Sequence, residues 1–207
     1  MGFGLLLIGY FFANVMSSYS MLAVGMLAGY PLMCYALRRL APYHSRFLTA
    51  FYLSFVGFPF ALYFSGDAVR QWFGAQWLFY AGSYEIVSLV YFVFTLIFDF
   101  FVLYAVAGLA DELSLRSAQS AAWRNMIFMA LYGVFGLIGQ LPITWIRENY
   151  IYFGMPATVL RVVFWLLNMW LLFQCYRQIA SEEEEFGGMK LGAAEDEDVE
   201  TGEEETK

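Results

Sequence analysis

Hydrophobic runs of membrane-spanning length succeed one another along almost the whole chain, and nothing constrains its fold more. A helix crosses about 30 Å of hydrocarbon with about 20 apolar residues. The runs read here as spans are Met1–Ser17, Met21–Leu37, Phe47–Phe64, Ile86–Ala110, Met126–Ile146 and Pro156–Tyr176. In lipid, backbone polar groups must be satisfied internally, so unbroken apolar runs become helices. The expected fold is therefore all-α, a polytopic membrane helix bundle with six transmembrane helices. Composition agrees: 61% of residues are hydrophobic and mean hydropathy is +0.59, whereas soluble domains are about 45–50% apolar.

The first two runs are short and closely joined through "SSYS", which predicts a tight helical hairpin. The opening "MGFGLLLIGY" carries no charge. A cleaved signal peptide starts with a basic segment, so the first run is expected to be retained as a span. Myristoylation does not fit either, because Leu6 stands where the motif takes Ser or Thr.

Basic loops are retained on the cytoplasmic side. Arg38, Arg39, Arg46, Arg116, Arg124, Arg177, Lys190 and Lys207 fall on one side of a six-span chain, and Arg70, Arg147 and Arg161 on the other. Both termini are then expected inside. The residues divide into a membrane domain, 1–180, with a net charge of +3, and a tail, 181–207, with a net charge of −10. Few apolar groups and strong self-repulsion predict a disordered cytoplasmic tail. It suits solubilisation or docking to a basic partner, and it is repelled by nucleic acid and by anionic lipid.

Residues 67–84 are too polar to span but put Val69, Trp72, Phe73, Trp77 and Tyr80 on one helical face, as expected of a helix at the outer interface. Such a helix could also act as a lid. Residues 111–125 are expected to form a short cytoplasmic connector or interfacial helix. Small residues allow helices in lipid to approach closely. Gly25 and Gly29 in the second span, and Gly133, Gly136 and Gly139 in the fifth, are the candidate packing positions.

Most chemistries are excluded by what the chain lacks. His44 is the single histidine, in the basic loop "RRLAPYHSR", where it is expected to be exposed; no His/Cys metal site can be built around it. Cys34 and Cys175 lie near the cytoplasmic ends of their spans, where thiols stay reduced. There is no phosphate-cradling glycine loop and no nucleophile elbow. A membrane aspartyl protease needs two carboxylates sharing a proton, and Asp99 is the one acid deep in a span. The chain is read as non-enzymatic, without metal or cofactor.

Asp99 interrupts "VFTLIFDFFVLYAV". An Asp at the membrane centre opposes insertion by about 2.5–3.5 kcal/mol, and each central Leu, Ile, Phe or Val favours it by about 0.3–0.6. Sixteen such residues in the fourth span carry Asp99 in. Projected as a helix, Glu85, Ser88, Tyr91, Thr95 and Asp99 share an arc of about 120°. This polar stripe descends to mid-membrane and ends on Val102, Leu103, Val106 and Ala110. In the sixth span Asn168 falls at the depth of Asp99, and Arg161 about 12 Å above it at about 1.5 Å per residue. The fourth and sixth helices are expected to face each other, with an Asp99–Asn168 hydrogen bond. The stripe is either a polar clasp between helices or an outward-opening half-channel.

The N-terminal "GFGLLLIGYFF" resembles the opening of small multi-pass membrane proteins of Gram-positive bacteria, over eleven residues. That resemblance implies a bacterial plasma membrane and no particular chemistry. Two functions follow: a small non-enzymatic membrane subunit or partner protein, or a small solute or ion transporter of the substrate-binding-subunit type using the stripe that ends at Asp99.

Overall fold

The computed structural model describes residues 2–16, 22–74, 83–140 and 150–200, with side chains described up to 178 except at 140 and 150. The described chain is all-α. Its six helices are α1 (Gly2–Val15), α2 (Gly25–Leu40), α3 (Arg46–Phe73), α4 (Tyr84–Glu112), α5 (Arg116–Gln140) and α6 (Tyr150–Glu200). Each packs on its successor and α6 returns to α1, so the bundle is a closed ring of sequential neighbours.

Four stretches, in α3 to α6, are long and apolar enough to cross a membrane, and no more than 33% of the residues in each apolar window are buried. Leu62, Ile86, Ile127, Val159 and Leu166 are among the large apolar side chains pointing outward. An apolar exterior around a packed interior is what hydrocarbon solvates. Helices α1 and α2 are shorter than the other four. The "SSYS" link lies outside the described residues.

Three boundaries differ from the sequence expectation. The segment 67–73 is no separate interfacial helix but the end of α3, which runs on from the span until Gly74 stops it in the left-handed region at φ 62°. Glycine takes that conformation without steric cost. Trp77 and Tyr80 lie outside the described residues. The connector expected over 111–125 shrinks to Leu113–Leu115. There the Ser114 amide donates to the Asp111 carbonyl (3.0 Å) and the Leu115 amide to the Ala110 carbonyl (2.8 Å), the paired bonds of a Schellman cap. Ser114 holds φ 57°, and α5 starts at once, so residues 116–125 are its first turns. Finally, α6 stays helical past 180 to Glu200. Glu, Ala, Met, Leu and Lys there are residues that can propagate a helix from the preceding span.

Tight contacts set the register of the ring. Gly2 approaches Leu40 and Ala36 of α2, and Gly4 approaches the ring of Tyr176 in α6. The start of α1, the end of α2 and the region of Tyr176 therefore share one end of the bundle. His44 and Arg46, next to the α2–α3 turn, lie against Gly108 near the end of α4.

Candidate functional site

The polar stripe of α4 turns inward as it descends. Glu85 is exposed, Ser88 and Tyr91 are half-buried, and Thr95 and Asp99 are buried, Asp99 at 1% exposure. Thr95 satisfies its hydroxyl locally, donating to the Phe92 carbonyl at 2.8 Å. Beneath Asp99, Val102, Leu103, Val106 and Ala110 are buried and close the floor.

Above Asp99 the ring encloses a cavity of 220 Å³ to which all six helices contribute. Ser88, Tyr91 and Thr95 line it from α4, Asn14 from α1, Tyr132 from α5, and Arg161 with Trp165 from α6. The Arg161 guanidinium lies 4.4 Å from the centre of the Trp165 ring, a cation–π contact that holds it on the wall. Tyr30 of α2 donates a long hydrogen bond, 3.4 Å, to the Tyr91 hydroxyl. The volume equals about seven waters at about 30 Å³ each. A second cavity of 120 Å³ adjoins it between α5 and α6, sharing Phe92, Tyr132 and Arg161. Glu85 does not line either space, and Asp99 and Asn168 lie off both walls.

The expected Asp99–Asn168 hydrogen bond is not formed. One Asp99 carboxylate oxygen and both polar atoms of Asn168 are buried without a partner. The extensive neighbours of α6 are α5 and α1, and α5 separates it from α4 around the ring. What meets Asp99 and Asn168 instead is Tyr10 of α1, whose hydroxyl stands beside both and is itself buried without a hydrogen bond. Arg161 lies within electrostatic reach of Asp99. Tyr10, like Asn14, Tyr132 and Trp165 on the cavity wall, was missed by sequence reasoning. The sign of Tyr10 was a phenol in the middle of a largely apolar first run.

Tyr10 also marks a change of helix type. The turn Phe11–Val15 is π-helical, with the Met16 amide donating to the Phe11 carbonyl. Such turns are rare, and they recur at functional sites.

The candidate packing glycines do different jobs. A Cβ on Gly29 would fall 2.6 Å from the Ala13 amide nitrogen, so α1 and α2 touch there backbone to backbone; at Gly25 the nearest atom is an ordinary 3.4 Å away. Gly9 supplies the matching gap on α1, where a Cβ would fall 2.9 Å from the Gly29 carbonyl oxygen. Gly133 receives Leu96, Gly136 receives the Phe92 ring, and Gly136 and Gly139 line the smaller cavity. Gly57, outside that set, makes room for the Tyr30 ring, which a Cβ there would strike.

His44 is not the exposed loop residue expected. Its side chain is 9% exposed, tucked over Gly108, with Nε2 3.6 Å from a Glu112 carboxylate oxygen. Nδ1 accepts from the Arg46 amide at 3.1 Å, and the Arg46 guanidinium lies 3.9 Å from the Tyr104 ring centre. At the opposite end, buried Asp67 pairs with Arg70 and Gln71 within α3. Cys34 and Cys175 are free thiols. Among the described residues no three His, Cys, Asp or Glu side chains cluster as a metal site.

No family model, no curated protein and no solved structure matches this chain.

Proposed function

We propose that the chain is a six-span, non-enzymatic membrane protein that holds a small polar solute or ion in a pocket opening to the outer face, as the substrate-binding subunit of a transport system. The single observation that carries this is the 220 Å³ cavity with polar groups from α1, α4, α5 and α6 on its wall, inside an otherwise apolar bundle. A purely structural clasp would bond its polar groups to one another. Here the buried groups of Tyr10, Asp99 and Asn168 stay unpaired, and each such group costs about 1–3 kcal/mol.

The wall chemistry indicates the solute class. Arg161, held over Trp165, offers a fixed cation, and Ser88, Tyr91 and Tyr132 line the same cavity. A small solute with a carboxylate or similar anionic group fits that wall. The six-span reading is supported by Tyr10 of α1 reaching the level of Asp99 in mid-α4. Gly2 and Gly4 at the same end as Leu40 and Tyr176 support termini on one side, which the basic loops assign to the cytoplasm. The bacterial plasma membrane follows from the N-terminal resemblance. The acidic stretch after 180 would meet a basic cytoplasmic partner.

The test is thiol labelling on intact cells, in a chain lacking Cys34 and Cys175. Ser88→Cys and Thr95→Cys should react with a membrane-impermeant reagent added outside, and Val93→Cys, on the outward surface of α4, should not. Protection of Ser88→Cys and Thr95→Cys from the outside would refute an outward-opening pocket.

A further inference from the structure

Between α5 and α6 the bundle leaves a space that the polar pocket does not account for. It measures 120 Å³ and shares Phe92, Tyr132 and Arg161 with the larger cavity, so Arg161 borders both. Two rings held from behind form the partition. Phe92 and Tyr132 meet edge to face at 5.7 Å, the tip of Phe92 rests against Gly136, and Tyr132 stacks on Phe164 at 5.6 Å. Beyond them the wall changes character. Phe135 lines it from α5, and Ala157 and Thr158 from α6; the Thr158 hydroxyl already donates to the Gly154 carbonyl at 2.8 Å. We propose that the solute is a short-chain aliphatic carboxylate, its carboxylate on Arg161 and its chain of about four carbons in the smaller cavity, with Ala157 limiting the chain length.

Size and placement define the occupant. An apolar cavity of about 150 Å³ takes a benzene ring, so one of 120 Å³ takes less, about four atoms at about 30 Å³ each. That is the bulk of a butyl group. Ala157 and Thr158 precede Arg161 by four and three residues on α6, and residues so spaced share one helix face. The guanidinium and the apolar wall are therefore neighbours, as a carboxylate and its own chain are. Carboxylate is also the anion whose planar geometry matches a guanidinium. The larger cavity, with Asn14, Ser88 and Thr95 on its wall, suits the hydrated side of that carboxylate and not its chain. This inference deepens the anionic-solute reading of the pocket and rests on it for the charge offered by Arg161.

The experiment is equilibrium binding of radiolabelled pentanoate to the full chain in lipid nanodiscs, with empty nanodiscs as background and acetate, butanoate and octanoate as competitors. Each carbon added from acetate to pentanoate buries one more methylene and should tighten binding about fourfold. Pentanoate should therefore bind about sixtyfold tighter than acetate, and octanoate, too long for the space, should gain nothing further. Ala157→Leu fills the same space with an isobutyl group in place of a methyl. Pentanoate should then bind no tighter than acetate, with acetate unaffected, and Arg161→Gln should lose both. Equal affinity for acetate and pentanoate in the unmodified chain, a length dependence that runs on to octanoate as for a bilayer acyl chain, or a pentanoate preference that survives Ala157→Leu would overturn the proposal. Failure of every acid to bind would sink the anionic pocket along with it. Outside labelling of Thr95→Cys with no preference for chain length would remove the chain site and leave the pocket standing.

Discussion

Replacing Gly29 and Gly25 separately by alanine isolates the contact on which the first helix depends. Both positions lie on α2, four residues apart, with Gly29 in the helix interior and Gly25 at its first residue, so the propensity gain of up to about 1 kcal/mol for Gly to Ala favours Gly29→Ala and works against the difference expected from packing. That packing difference lies in the neighbour. A Cβ at Gly25 meets the Phe12 carbonyl oxygen at 3.4 Å, whereas at Gly29 it meets the Ala13 backbone nitrogen at 2.6 Å and the Ala13 Cα at 2.9 Å. Backbone cannot rotate aside, so α1 must withdraw by about 0.8 Å to restore ordinary contact, and overpacking of that kind costs about 1–3 kcal/mol. For a chain of this length about 2–4 °C of melting temperature corresponds to each kcal/mol. Gly29→Ala should therefore melt below Gly25→Ala in the same nanodiscs, by up to about 8 °C. Equal melting temperatures for the two variants would refute a backbone-to-backbone seam at Gly29 and with it the docking of α1 in the ring.

Further outcomes are expected elsewhere in the bundle. Ser114→Gly should raise the melting temperature by the equivalent of about 1 kcal/mol, because φ 57° strains any residue with a Cβ; no gain would argue against the Schellman cap. Gly57→Ala should displace the Tyr30 ring, cost about 1–3 kcal/mol by overpacking, and alter thiol labelling in the cavity through the Tyr30–Tyr91 contact. Arg46→Lys keeps the charge but loses the planar stack on Tyr104, and should lower stability by about 0.5–1 kcal/mol in thermal unfolding.

The polar stripe shows how far periodicity reaches. Its five residues on one arc of α4 were legible because helical spacing alone places side chains around an axis. Its graded burial, from exposed Glu85 to enclosed Asp99, depends on how the ring is assembled around α4. The Asp99–Asn168 hydrogen bond failed for the same reason: matching depth on two helices says nothing about what a third brings, and Tyr10 of α1 stands beside both groups. The short α4–α5 turn escaped notice because a Schellman cap at a serine carries no glycine signature in sequence.

The amino-acid sequence by itself determined the solvent and the class of the molecule. Apolar runs in lipid leave helices as the means of satisfying the backbone, a local property of composition and spacing. The tertiary structure decided the site. Gly29 and Ala13 bring α1 against α2, α1 closes the ring against α6, and only that closure carries Tyr10 to Asp99 and Asn168 beneath a polar cavity. Those three residues are separated by 89 and 69 positions along the chain, so no spacing or period could have joined them; packing did.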